Sequence, residues 1–407
     1  MNQGLPLDFK KLVVARFLFN ISVRIQAVVV GWTMYDLTHD ALHLGMVGLA
    51  EALPALSLAP LAGYLVDRSR PVRMYGLVLL FSLLSALVVF YAQFNLAPAD
   101  HVIALYLASA LTGTARSLAQ PSVFATVPRL VERSQLSKAT ASMSSVQQIG
   151  SVIGPALGGL LYGGSLSPTG LASVLLGVSL VCVLSIPAPP AQQPPSKLPL
   201  VQELLLGARF VFSHSLLLPA LALDMFSVMF AGVTALLPMF AGDILHIGAG
   251  GMGLLRAAPA LGAGMVAFWL TRIDFQEKAG RYLFVAVSGF GLCILGFGLS
   301  RNVYLSGLLL FLSGAFDSVS AVIRNTAVQL ASPDSMRGRI SAINSMFIGS
   351  SNELGEFESG VVARFLGPVG AVLFGAGACF LTIGLVYMLA PTLRRLNLKE
   401  LEQAATG

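Results

Sequence analysis

Three carboxylates fall within the twelve residues from Gly349 to Gly360, at Glu353, Glu356 and Glu358. The chain on either side is apolar, with Ser341-Ala342-Ile343 before and Val361-Val362-Ala363 after. An ionised group at the centre of a bilayer costs at least ~2.5–3.5 kcal/mol, so such residues face a bundle interior, a wet cavity or a partner charge. Glu353 and Glu356 stand at i and i+3, which places them on one helix face with Asn352, Gly349 and Gly360, while Glu358 points elsewhere. Two carboxylates on one face in a low dielectric repel, so the pair needs a shared proton or cationic partners. Arg324, Arg256 and Arg116 are the available cations. The chemistry this allows is proton exchange or recognition of a cationic substrate. The plain alternative is a static ion-pair network that braces the helix.

The elements that must hold these residues follow from composition. The 407 residues are 56% hydrophobic and only 11% charged, with a mean hydropathy of +0.80. Soluble domains carry about 25% charged residues, so the deficit points to a polytopic membrane protein. Apolar segments long enough to cross a bilayer recur twelve times, over 11–36, 43–66, 73–95, 101–128, 136–163, 168–187, 216–241, 249–271, 281–299, 302–331, 338–365 and 367–390. All must be helices, because backbone in lipid has to satisfy its own hydrogen bonds. Lys10 and Lys11, the Arg68-Arg70-Arg73 loop, Arg129-Arg133-Lys138, Lys197-Arg209, Arg272-Lys278-Arg281, Arg337-Arg339 and the Arg394-Arg395-Lys399 tail fall on one side. The opposite loops hold Arg301 and Arg364 with several acids, so both termini are expected in the cytoplasm, in an inner membrane.

The chain divides near its middle. Residues 1–187 form a first six-helix bundle and 216–391 a second. Between them, 188–215 is a cytoplasmic linker, extended through its prolines and then an amphipathic helix over Leu200 to Phe212 with Glu203 and Arg209 on its polar side. Residues 392–407 form a cytoplasmic tail. The halves repeat: Gly45-Met46-Val47-Gly48-Leu49-Ala50-Glu51-Ala52-Leu53-Pro54 matches the stretch from Gly250 to Pro259, and Gly154 and Gly159 correspond to Gly355 and Gly360. The expected fold is an all-α membrane protein of twelve transmembrane helices in two pseudo-symmetric six-helix bundles. Parallel halves of this kind place a substrate path between them and transport by rocking.

Charge is confined to certain spans. Span 1 carries Arg16 and Arg24, span 2 Glu51, span 4 Arg116, span 7 Asp224, span 8 Arg256, and span 10 Asp317 and Arg324. Spans 3, 6, 9 and 12 carry essentially none, which fits them for lipid on their outer sides. Glu51 and Arg256 occupy equivalent repeat positions with opposite charge and are not expected to be partners. Cys182, Cys293 and Cys379 lie in apolar runs without disulfide or metal spacing. No basic cluster interleaved with aromatics supports nucleic-acid binding. No Walker-type phosphate loop occurs, and Gly248-Ala249-Gly250-Gly251-Met252-Gly253 opens a membrane span rather than following a strand, so it is no dinucleotide fingerprint. No cofactor, no metal and no enzymatic activity are expected, and no oligomer interface stands out, so a monomer is.

Two motifs carry a family resemblance. Gly63-Tyr64-Leu65-Val66-Asp67-Arg68-Ser69-Arg70-Pro71-Val72-Arg73, between spans 2 and 3, resembles the signature loop of the major facilitator superfamily through Gly63, Asp67, Arg68 and Arg73. Arg70 stands where a glycine is usual and Pro71 replaces a basic residue. The resemblance implies a conformational latch; plain positive-inside topology is the alternative. Gly150-Ser151-Val152-Ile153-Gly154-Pro155-Ala156-Leu157-Gly158-Gly159 in span 5 resembles the superfamily's antiporter motif, and also suits a close-packing seam. Arg116 matches the span 4 arginine that the superfamily ties to proton coupling, without the surrounding glycines of the fullest pattern; a buried structural ion pair is the alternative. Leu49 to Pro54, Gly154 to Gly159 and Pro333 to Arg339, with the acidic stretch, resemble the bacterial branch that contains the enterobactin exporter and macrolide efflux permeases. What the resemblance implies is a secondary transporter that exports a siderophore- or drug-like small molecule by proton antiport. Uptake, or a non-transporting sensor of the same fold, are the other readings.

Overall fold

The computed structural model describes residues 5–187, 200–270, 272, 276–333 and 336–406. The proline linker, Thr271, Asp274 and Asp334 lie outside the described residues, as do the side chains of Asp67, Glu203 and Arg337. Among the described residues every regular element is helical: α1 (Leu7–Thr38), α2 (Ala41–Asp67), α3 (Pro71–Asn95), α4 (Pro98–Leu130), α5 (Leu136–Leu161), α6 (Pro168–Leu184), α7 (Leu200–Ser213), α8 (Leu217–Phe230), α9 (Leu237–Met239), α10 (Gly248–Leu270), α11 (Ala279–Leu299), α12 (Val303–Ala331), α13 (Arg337–Leu389), α14 (Pro391–Arg394) and α15 (Leu398–Thr406). Among the described residues nine candidate spans are long and apolar enough to cross a membrane; the last, in α13, is long enough for two, and α5 and α6 complete the twelve.

Local chemistry sets the boundaries. Pro71, Pro98 and Pro168 open α3, α4 and α6, where a missing N–H costs nothing. Asp40 accepts from Leu42 N at 2.8 Å to cap α2, and Asn302 accepts from Tyr304 N at 2.9 Å to cap α12. Gly367, at φ 72°, turns α13 at the gap expected between spans 11 and 12; a side chain there would be strained.

One expected span is not continuous. The segment read as a single helix over 216–241 ends as α-helix at Phe230, passes through a 3₁₀ turn at Thr234–Leu236 and α9, and closes in a π-turn at Phe240–Ile244. In the 3₁₀ turn Leu236 N donates to the Val233 carbonyl at 3.0 Å, and the Gly232 carbonyl accepts a 2.8 Å hydrogen bond from Ser359 Oγ on α13.

The chain forms two compact units, Met1–Lys197 with Ile247–Ala257, and Leu198–His246 with Ala258–Gly407. In the first, α1 packs on α5 and α6, α2 on α4, and α3 on α4 and α6, around Phe9, Leu12, Tyr75, Leu79 and Leu176. In the second, α8 packs on α13 and α11 on α12 and α13. Here α7 joins the packing: Val211 is buried with Leu217, Leu221, Val328, Ile340 and Ile343, while Leu205 and Phe212 stay exposed. The spans without charge expose apolar rows, on α3 at Leu77, Leu80, Leu84, Leu87, Tyr91 and Phe94. That spacing is one helical stripe, suited to lipid.

Candidate functional site

The glycines decide which helices come close enough for their polar groups to meet. In the first unit Gly113 of α4 lies against the Glu51 backbone of α2, where a Cβ would overlap the carbonyl. One turn further along, Arg116 Nη1 meets Glu51 Oε1. This pair is half-open, with the side chains 43% and 20% exposed. Arg16 is buried and donates to Gln120 Oε1 at 2.8 Å and Gln147 Oε1 at 3.4 Å, tying α1 to α4 and α5. Gln26 donates to Ser85 Oγ at 2.6 Å and Thr112 Oγ1 at 3.4 Å in the same core. Arg256 donates to the Ala27 carbonyl at 3.4 Å.

The span 5 motif has two faces. Gly150, Gly154 and Gly158 recur every fourth residue and seat against α1 at Asn20, Arg24 and Ile25. Gly159, with the Pro155 carbonyl, seats instead against Gly253 in the first turns of α10. In the loop motif, Arg68 follows the end of α2 with its guanidinium 4.2 Å from the Tyr64 ring centre, and Arg73 is exposed on α3. Gly63 has open space where a Cβ would stand.

The second unit repeats the packing. Gly314 of α12 lies on the Pro259 backbone of α10, and Gly262 of α10 on Phe311 of α12, as α4 lies on α2. Gly355 of α13 seats on Met229 of α8, as Gly154 seats on α1. Its charges are deeper. Arg324 Nη1 contacts Asp224 Oδ1 with the side chains 4% and 9% exposed. Asp317 and Ser320 from α12, Asp224, Ser227 and Val228 from α8, and Val287 and Phe290 from α11 enclose a void of about 10 Å³. A wider polar cleft of about 240 Å³ lies between α12 and α13, lined by Asn325, Gln329, Ser332, Ser341 and Asn344.

The acidic stretch divides. Glu353 is buried at 5%, Glu356 and Glu358 are half-buried, and Asn352 is exposed and donates to its own helix at Ile348 O. Asn352 therefore does not share the buried side of Glu353. Of the three arginines expected to serve these carboxylates, Arg324 is committed to Asp224 and Arg116 to Glu51. Sequence reasoning missed Gln26, Gln147, Ser227, Ser320 and Ser359. A lone amide such as Gln26 inside an apolar run signals a core network, whereas helical serines have no such mark, since many merely donate to the preceding turn.

The model of the family described as Major Facilitator Superfamily matches residues 12–356. The chain is 28% identical over 391 residues to the enterobactin exporter EntS of Citrobacter koseri, covering 94% of this chain and 91% of the relative, and equally to that of Escherichia coli O1:K1. Among solved structures it resembles the nucleoside transporter NupG, with a TM-score of 0.76 at 14% identity over 94% of this chain and 99% of that one. It also resembles a bacterial homologue of the iron transporter ferroportin in an inward-facing state, with a TM-score of 0.69 at 16% identity over 96% and 100%.

Proposed function

Because the chain belongs to the Major Facilitator Superfamily, we propose that this multi-pass membrane transporter exports a siderophore- or drug-like small molecule across the bacterial inner membrane, by alternating access coupled to proton antiport, with both termini in the cytoplasm. The observation that carries the coupling is the set of carboxylates inside membrane-spanning helices, namely Glu353 buried on α13 and Asp317 beside the buried Asp224–Arg324 pair. Such groups are expensive in a bilayer and are kept for ion or substrate pathways. Export is favoured by the antiporter-type seam of Gly150, Gly154, Pro155, Gly158 and Gly159, and by the likeness to the enterobactin exporters. Glu51, Arg116, Arg256 and Asn352 complete the polar groups proposed for the substrate or proton route. Gly63, Asp67, Arg68 and Arg73 form the proposed latch. Protonation from the periplasm drives release outward and resets the carrier.

Purified protein in liposomes under a pH gradient tests this against a panel of siderophores and hydrophobic drugs. Expected is gradient-driven efflux that an uncoupler abolishes and Glu356→Gln removes from folded protein. Unchanged transport with ordinary pH dependence in both Glu356→Gln and Glu353→Gln sinks the role of those carboxylates. Movement in the opposite direction makes the protein an uptake permease, and no movement of any solute makes it a sensor of the same fold.

A further inference from the structure

The wider polar cleft lies within the second unit alone, where the end of α12 passes the start of α13. Asn325, Val328 and Gln329 stand at i, i+3 and i+4 on α12 and so share a face, and Ser332 follows its last turn. Ser341 and Asn344, at i and i+3 on α13, form the facing wall. Gln329 and Ser341 are exposed at the rim, while Ser332 and Asn344 are buried, at 5% and 9%. Asn344 Nδ2 donates to Asn325 Oδ1 at 3.3 Å, and Asn344 Oδ1 has no partner among the described residues. The Ser332 hydroxyl donates to the Val328 carbonyl of its own helix, so its oxygen can still accept. Val328 also belongs to one apolar cluster with Val211 of α7 and with Ile340 and Ile343 of α13. Gly207 of α7 seats on Arg339 in the first turn of α13, so α7 backs the cleft.

We propose that this cleft is a subsite for an uncharged arm of the transported solute, one that both donates and accepts hydrogen bonds, such as a carboxamide or a hydroxyl. The proposal rests on the transporter reading for the molecule that bears the arm, and adds the chemical class of the arm itself. Among the described residues no ionisable side chain lines the cleft. Arg324, one residue before Asn325, is held by Asp224. An ionised group entering here loses water and meets no opposite charge, whereas a neutral one exchanges water for amides and hydroxyls. Asn325, Gln329 and Asn344 each carry a donor and an acceptor, so they answer a carboxamide or a hydroxyl in either direction. The unanswered Asn344 oxygen is a buried acceptor that calls for an N–H or O–H. Val328 offers an apolar wall to the carbon stem of the arm. Sites that enclose a whole drug-sized ligand run to about 300–1,000 Å³. A cleft of about 240 Å³ therefore takes one arm of such a molecule and leaves the rest outside.

The test uses the full-length protein in detergent and two probes of one shape, 3-hydroxybenzamide and 3-hydroxybenzoate, which differ in charge at neutral pH. Saturation-transfer NMR reads their binding to wild type, Asn344→Ala and Gln329→Ala. Expected is saturable binding of the benzamide, about tenfold or more tighter than that of the benzoate. Asn344→Ala should weaken the benzamide about tenfold, the loss of a buried hydrogen-bond partner, and Gln329→Ala about threefold, since its amide sits at the wet rim. Gln329 is exposed, so its variant reports even if Asn344→Ala fails to fold. The idea is overturned if neither probe binds, if the benzoate binds as tightly as the benzamide, or if every folded variant binds the benzamide as wild type does. Gradient-driven efflux by a protein whose cleft fails these measurements leaves the transporter reading intact without this subsite. Charge-selective, variant-sensitive binding in a protein that moves no solute does the reverse.

Discussion

The two units build the same helix contacts and place opposite kinds of ion pair on them. In the first, Gly113 brings α4 onto α2 and the Glu51–Arg116 pair forms with its arginine 43% exposed. In the second, Gly314 brings α12 onto α10, yet Arg324 turns to α8 and pairs with Asp224 where both side chains are under 10% exposed. A half-exposed pair breaks and reforms at less cost than a buried one, which is fixed by the charge that its separation would strand. Like glycine contacts in the two units thus carry different electrostatics. The first unit buries Arg16 among the neutral amides Gln120 and Gln147, and the second buries carboxylates.

The largest effect that can break this contrast is the loss of one charge from each pair. Asp224→Asn is expected to destabilise the protein by about 3–5 kcal/mol, because Arg324 is left buried and unanswered. Glu51→Gln is expected to cost at most about 1 kcal/mol, since Arg116 is 43% exposed and is not left enclosed when its partner is neutral. Denaturation of purified protein in detergent compares them, and equal costs would erase the distinction. Replacing both partners, as Asp224→Leu with Arg324→Met, should recover much of the stability and still abolish coupled transport.

The glycine contacts come next. Gly113→Ala and Gly314→Ala should each cost about 1–3 kcal/mol, because the new methyl meets a backbone carbonyl that cannot move away. Gly63→Ala meets open space and should be neutral, or stabilise by up to about 1 kcal/mol. A cost at Gly63 as large as at Gly113, in the same melting assay, would mean that the loop glycine packs in another state of the transport cycle. Ser359→Ala removes the hydrogen bond to the Gly232 carbonyl at the break after α8 and should cost about 1 kcal/mol, with no equivalent loss in the continuous α1.

The smallest expected effect lies outside the spans. His214 Nδ1 accepts from Leu216 N at 3.2 Å and Leu217 N at 3.4 Å at the entrance to α8, and burial holds its pKa below the ordinary value of 6.5. The unfolded chain then binds the proton first as pH falls. The contribution of His214 is complete above about pH 6.5 and declines as pH drops through that value towards the folded-state pKa. His214→Asn keeps an acceptor and should remove this part of the pH dependence of melting, while leaving stability at pH 8 within about 1 kcal/mol.

Much of the architecture was legible in the residue order. Twenty-residue apolar runs, prolines at helix starts and the glycine before Pro368 mark where the chain enters and turns, because lipid demands helices and a left-handed backbone demands glycine. The confinement of charge to particular spans identified the polar interior, and the uncharged spans do present apolar stripes. The break after Phe230 was not legible: Gly232 and Pro238 are tolerated within continuous spans elsewhere, as Pro54 is in α2, so neither residue alone announces it.

Partner choice was the least legible feature. From residue order, Arg324 could serve Glu353, Glu356, Asp317 or Asp224, all of which are acids within helices. Which one it meets depends on the rotation of α12 against α8, set by where Gly314 and Gly355 let the backbones approach. Likewise Gly158 and Gly159 are one residue and about 100° apart, so the same motif serves α1 on one side and α10 on the other. The sequence by itself determined a duplicated twelve-helix membrane transporter with acids it cannot afford to leave in lipid. Only the tertiary structure decided that one aspartate is neutralised by an arginine while another, at the middle of α12, faces a water-sized void, because ion pairing is set by distances of a few ångströms that helical periodicity does not specify.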